Sequence, residues 1–189
     1  MTTVAEAKAI AENLLAEVLP RRWAHVQSVG AHAGCIGLKL LEEADAETVE
    51  AAGWLHDVGY APTIAITGFH PLDGARHLRQ IGVRTDIVDL VAHHTCAVRE
   101  ARLRGLESEL LAEFPCGGEQ SLMRDVLWFA DLTTGPDGRR LAVSDRFDEI
   151  ISRYGPEDLV TRFITDARPE LTTVTDRVES LISQCTARG

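Results

Sequence analysis

The stretch Trp54-Leu55-His56-Asp57-Val58-Gly59-Tyr60 places an imidazole and a carboxylate side by side where an apolar helix ends. Buried polar groups must find partners, so a fold that takes this pair inside must bring others to meet it. A divalent or trivalent metal is one partner that both groups accept. Adjacent residues on a helix point about 100° apart. Both can still turn toward one ion at a helix end, where Gly59 leaves the backbone free.

The other inward polar residues follow the apolar stripes of the surrounding helices. A helix over about Arg21 to Leu41 carries His25, Val29, His32, Ile36 and Leu40 at three- and four-residue steps, so His25 faces inward. His70 precedes Pro71, which biases it away from helical geometry and sets it at a loop-to-helix junction. In a helix from Thr85 to Thr95 the apolar stripe Ile87, Leu90, Val91 continues to His94. His93 falls with Asp86 and Asp89 on the polar stripe, exposed but close enough to assist. Asp131 ends the apolar run Leu127-Trp128-Phe129-Ala130, where a carboxylate must be neutral or find a cation.

The rest of the chain reads as helix and loop. Thr3 and Glu6 form a capping box for a helix from Val4 to Leu19, which Pro20 stops. Asp45 caps the helix that ends at His56-Asp57. Tyr60 to Phe69 is irregular, with a short piece around Ile64 and Ile66. Cys96 to Gly118 is loop-rich, with short helices at Val98–Leu103 and Glu107–Phe114. Further helices are expected at Ser121–Thr133, Ser144–Tyr154, Pro156–Ala167 and after Pro169, with a loop from Thr133 to Gly138. With 45% hydrophobic and 5% aromatic residues the composition favours helices, and 189 residues suit one domain. The expected organisation is a single all-α bundle over residues 1–189. Its motif-bearing core spans about 21–134, and C-terminal helices over 143–187 pack on it.

A formal net charge of −10 excludes a general nucleic-acid surface and leaves room for a small phosphorylated partner held by local arginines. Arg99, Arg102 and Arg104 form the densest positive cluster, a solvated face or a phosphate-attracting rim. Four widely spaced cysteines with no C-x-x-C indicate reduced thiols and a cytoplasmic setting. No segment reaches membrane-spanning length. The oligomeric state is not legible.

Six residues, His25, His56, Asp57, His70, His94 and Asp131, are thus metal-ligand candidates. An oxygen and nitrogen donor set without thiolate suits iron, manganese, nickel, cobalt or zinc. Six ligands exceed what one open ion needs and suit a bridged pair. The order of these residues resembles the HD-domain superfamily of metal-dependent phosphohydrolases. A lone His, then His-Asp, then a distal Asp corresponds to His25, His56-Asp57 and Asp131. His70 and His94 correspond to the added histidines of two-metal members. The stretch His70-Pro71-Leu72-Asp73-Gly74-Ala75 and the pair His94-Thr95 look like the nucleotide-hydrolysing branch.

The resemblance implies an all-α bundle around two ions, with Asp57 as the bridging, catalytic carboxylate. It implies hydrolysis of a nucleotide or other small phosphorylated metabolite by a metal-bound hydroxide. Tyr60 stands where several relatives carry a phosphate-contacting lysine. Tyr60, His93, Arg76 and Arg99 are the candidate substrate contacts, the two arginines by sequence proximity alone. No Gly-Tyr-Pro follows His93-His94, which excludes the cyclic-dinucleotide phosphodiesterase branch. A di-iron oxygenase and a nucleotide-sensing module that keeps the metal site are the alternatives. The C-terminal third carries no assignable motif.

Overall fold

A computed structural model describes residues 2–115 and 121–187. Ten α-helices make up the described chain, with one isolated bridge between Thr134 and Arg140 and no strand among the described residues. The fold is all-α, as the composition and periodicity imply.

Helix α1 (Val4–Leu15) opens on the expected capping box: Glu6 N donates to Thr3 Oγ1 (3.2 Å) and Thr3 N to Glu6 Oε2 (2.7 Å). It ends earlier than Leu19. Pro20 opens α2 (Pro20–Leu40) instead of stopping α1, because a first-turn residue has no intrahelical use for the N–H that proline lacks. Helix α3 (Glu43–Leu55) starts two residues before Asp45, which lies in its first turn and is not its cap.

The tightest pairing in the molecule is between α2 and α3. A Cβ on Gly53 would lie 2.9 Å from the Gly30 Cα, and one on Gly37 would lie 3.0 Å from the Ala46 Cα. Helices this close bring their inward polar residues into one layer. The His25 and His56 ring centroids are 5.3 Å apart.

A 3₁₀ turn, Val58–Tyr60, follows the His-Asp pair and packs on α4 (His70–Gln80). Gly59 is required by space: a Cβ there would stand 2.0 Å from the His70 carbonyl oxygen. The chain from Ala61 to Phe69 makes turns. It is tied down by the buried Asp73 carboxylate, which accepts the backbone N–H groups of Ile66, Thr67 and Gly68.

Helix α5 (Thr85–Ala92) ends before the expected Thr95. Thr95 and Cys96 adopt φ of 45° and 59°, a left-handed step that breaks the helix into the 3₁₀ turn His94–Cys96. Two short helices follow near their expected places, α6 (Ala97–Arg104) and α7 (Glu107–Glu113). The Cys116–Gly118 end of the expected loop lies outside the described residues.

Helix α8 (Leu122–Leu132) is capped by Ser121 and packs on both α2 and α3, delivering Asp131 to their polar layer. Helix α9 (Val143–Tyr154) and α10 (Leu159–Thr186) form a second apolar cluster with α8 through Trp128, Leu132, Phe147, Ile150, Phe163 and Ile164. The expected break at Pro169 does not occur: α10 runs straight through it. An interior proline costs about 3 kcal/mol. Burial of Ala167, Leu171, Val174 and Val178 on one face of α10 offsets that cost, so packing overrides the local breaker. The helix also starts at Leu159, capped by Asp158 (Val160 N to Oδ1, 2.8 Å), and not at Pro156.

Candidate metal centre

The six ligand candidates converge. His25, His56, Asp57, His94 and Asp131 are each at most 9% exposed, and the His70 side chain is 13% exposed. Their donor atoms fall into two sets, His25 with His56 and Asp131, and His70 with His94 and Asp57. Within each set all donor atoms lie within 4.8 Å of one another.

Three histidines are held the same way. His25 Nδ1 lies 3.0 Å from the Gly135 carbonyl, His56 Nδ1 lies 2.8 Å from the Gly53 carbonyl, and His94 Nδ1 lies 2.7 Å from the Val91 carbonyl. A carbonyl can only accept, so each Nδ1 carries the proton and each Nε2 presents a bare lone pair. Fixing the outer nitrogen in this way is how protein metal sites orient imidazole ligands.

Those lone pairs point at other acceptors. His25 Nε2 is 3.2 Å from Asp131 Oδ1 and 3.6 Å from Asp57 Oδ2. His56 Nε2 is 3.4 Å from Asp57 Oδ2 and 3.9 Å from Asp131 Oδ1. Neither buried Nε2 has a hydrogen-bond partner. Acceptors facing one another in a dry interior repel unless a positive charge lies among them. The residues present therefore fit a cation, and the cluster can hold a divalent metal ion.

Asp57 joins the two sets. Its Oδ2 faces His25 and His56, while its Oδ1 lies 3.2 Å from His70 Nε2 and 4.0 Å from His94 Nε2. Asp131 offers Oδ1 to the first set, and its Oδ2 accepts the Thr95 hydroxyl at 2.6 Å.

Charge balance follows from these contacts. Burial pushes the Asp57 carboxyl up, but Arg22 and His56 outweigh it and hold the group well below the usual carboxylate range. Asp131 is likewise pushed up by burial and brought below that range by the His25 contact and the charges of His56, His25 and Arg146. Burial lowers His25 despite Asp131 and Asp57, and burial together with the neighbouring His70 and His56 brings His94 down to about 3. At His56 burial is outweighed by Asp57, leaving it above its ordinary value. Two anionic carboxylates beside neutral His25 and His94 are the protonation states that metal ligation needs, and the carboxylate charge that raises His56 is charge a bound cation would take up instead.

Of the four candidate substrate contacts, one is at the cluster. Tyr60 is wedged between His70, stacked at 4.1 Å and 17°, and the Arg22 guanidinium, 4.0 Å above its ring. Arg76 is not brought there: its guanidinium is paired with Glu109 and Glu113. Arg99 is paired with Asp166 (3.2 Å) and Glu170 (2.8 Å) and faces a different cavity. His93 is half-buried, with Nε2 2.8 Å from the Phe114 carbonyl, and lines that same second cavity. His32 lies beyond the cluster as well, against Phe129 and Arg140.

Two arginines at the cluster are not among the candidates that sequence reasoning picks out. Arg22 Nη1 donates to Asp57 Oδ2 at 2.6 Å, and Arg146 Nη2 lies 3.9 Å from Asp131 Oδ1. Arg22 stands three residues before His25, a spacing that shares a helix face and could have served as a signal. Arg146 comes from a segment with no motif, and only the packing of α9 on α8 and α10 brings it near.

A family model for the HD domain matches residues 22–149, which include all six ligand candidates. No curated protein and no solved structure matches the chain. The HD-domain superfamily is largely one of metal-dependent phosphohydrolases. With more than half of its length matched, and with the His56–Asp57 pair at the centre of a buried ligand cluster, the chain belongs to the HD-domain family.

Proposed function

We propose that the protein is a metal-dependent phosphohydrolase that cleaves a phosphate ester or anhydride in a nucleotide or another small phosphorylated metabolite. The observation that carries this reading is the division of Asp57, with one carboxylate oxygen toward each of two histidine sets. His25, His56 and Asp131 would hold one ion, His70 and His94 a second, and Asp57 would be shared. Bound ions of this kind supply positive charge to phosphoryl oxygens and lower the pKa of a water.

The chain's own residues supply orientation and exclusion of bulk water. Backbone carbonyls lock three imidazoles, and Thr95 fixes the second Asp131 oxygen. Arg22 holds Asp57 ionised from the protein side. Tyr60 closes one wall against His70, its phenol pushed up by burial against the pull of Arg22 and so kept protonated. A protonated phenol donates a hydrogen bond and adds no charge to repel an anionic substrate.

The test is to purify the protein, measure its bound metal, and assay a broad panel of phosphorylated metabolites with and without added manganese. Metal-dependent phosphate release from part of the panel is expected. A fully loaded protein that turns over no member contradicts the assignment.

A further inference from the structure

The cluster opens into a cavity whose outer wall belongs to the C-terminal helices α9 and α10. Asp57, His70, His94 and Asp131 line its floor, and Arg146, Ile150, Val160, Phe163 and Ile164 line its roof. The Arg146 side chain is 6% exposed, which is rare for a charge without full pairing. Nη1 donates to Glu149 at 2.6 Å, while the buried Nε has no partner. Nη2 makes no hydrogen bond among the described residues and is 3.9 Å from Asp131 Oδ1. Nε and Nη2 are neighbouring donors of one planar group, and together they form the fork that grips two oxygens of a phosphate or carboxylate. A buried donor left unmade carries a desolvation cost that a ligand oxygen would relieve.

The cavity is also small. Its accessible volume is about 70 Å³. On that scale one water takes about 10–15 Å³, which leaves room for roughly half a dozen waters. A phosphoryl group with a few carbons fits whole in such a space, whereas a nucleoside would have to reach out past the cavity mouth. Ile150, Val160, Phe163 and Ile164 give the organic part an apolar wall, and Glu100, Arg153 and Tyr154 line the same cavity.

We propose that Arg146 is the oxyanion-binding residue of this site, and that α9 and α10 restrict it to compact phosphomonoesters with a short, weakly polar alcohol, not nucleotides. This rests on the phosphohydrolase reading for its reaction, but the Arg146 anion contact is testable without turnover. On this account the C-terminal third closes the metal cavity and selects by size.

Inorganic phosphate is the probe, followed by thermal stabilisation of the manganese-loaded full chain and by competitive inhibition. Arg146→Met should weaken phosphate binding about 10- to 100-fold with metal content unchanged, the size of losing charge-assisted hydrogen bonds. Arg146→Lys, which keeps the charge without the fork, should recover only part of it and guards against a folding defect in the first variant. Phosphate binding equal to wild type in either folded variant overturns the anion assignment. Ethyl phosphate and propyl phosphate should be hydrolysed at least about tenfold more efficiently than nucleoside monophosphates, and Ile164→Ala should narrow that gap. Nucleotides preferred by the wild type overturn the size argument. Phosphate binding that depends on Arg146 with no ester hydrolysed would uphold this contact and defeat the phosphohydrolase reading instead.

Discussion

The Nε2 atoms of His70 and His94 stand 3.0 Å apart, and both face Asp57 Oδ1. His94 Nδ1 is committed to the Val91 carbonyl, so its Nε2 is a lone pair, and burial with the charges of His70 and His56 keeps the ring neutral. A proton on His70 or a cation between the rings can satisfy this contact. The second is consistent with the two lone pairs at His25 and His56, which have no proton donor at all. One cluster thus repeats the same electrostatic demand on both sides of Asp57.

Thr95 holds the first set from outside. It is a β-branched residue at φ 45°, a conformation that costs on the order of 1–3 kcal/mol, and its hydroxyl fixes Asp131 Oδ2 at 2.6 Å. Thr95→Val should leave the strain and remove the hydrogen bond, weakening metal affinity about 10- to 100-fold. Thr95→Ser should retain the affinity. Calorimetric titration of the metal-free protein with manganese distinguishes the two, and equal affinities in Val and Ser variants would show that the contact does not position Asp131.

The proximity of Gly59 to His70 makes a packing prediction. Since an added Cβ would lie 2.0 Å from the His70 carbonyl, Gly59→Ala must push the 3₁₀ turn away from α4. A destabilisation of about 1–3 kcal/mol is expected, the usual range for overpacking. Urea unfolding of the metal-free protein measures it, and an unchanged midpoint would mean that the turn and α4 are not in such close contact.

His32 supplies the pH dependence that is independent of the ligands. Burial, with Arg140 and Lys39 adding repulsion, brings it down to about 4 from an ordinary 6.5. Between these values the unfolded chain binds a proton that the native one refuses, so stability rises with pH through that window. The full effect is present above about pH 6.5 and is lost as the pH falls toward 4. His32→Asn should flatten this segment of the stability profile relative to wild type, measured by thermal unfolding of metal-free protein at constant ionic strength. Parallel profiles would place the titration elsewhere.

Much of the site was legible because its signals are local. His25 and His94 lie on apolar stripes whose period assigns them to the core, and His70 is placed by the proline that follows it. The arginines show where locality ends. Arg76 and Arg99 are near the ligands in sequence, yet each stands beside carboxylates of another helix, Glu113 for one and Glu170 for the other, and pairs there. Arg146 reaches the cluster through packing of α9 and α10, which no spacing encodes. The same holds for the helix limits. Pro20 and Pro169 are identical residues with opposite outcomes to those expected, since one sits in a first turn where its missing N–H is harmless and the other is carried by a buried face.

The central claim is that Asp57 is shared between two ions, and counting metal in His70→Ala tests it most directly. Elemental analysis of purified wild-type protein and the variant, each loaded with manganese and freed of excess, should give two ions per chain falling to one. The ion that remains belongs to His25, His56 and Asp131, so Asp131→Asn in the same background should then remove it. An unchanged metal content in His70→Ala, or a single ion in the wild type, would contradict the shared-carboxylate centre.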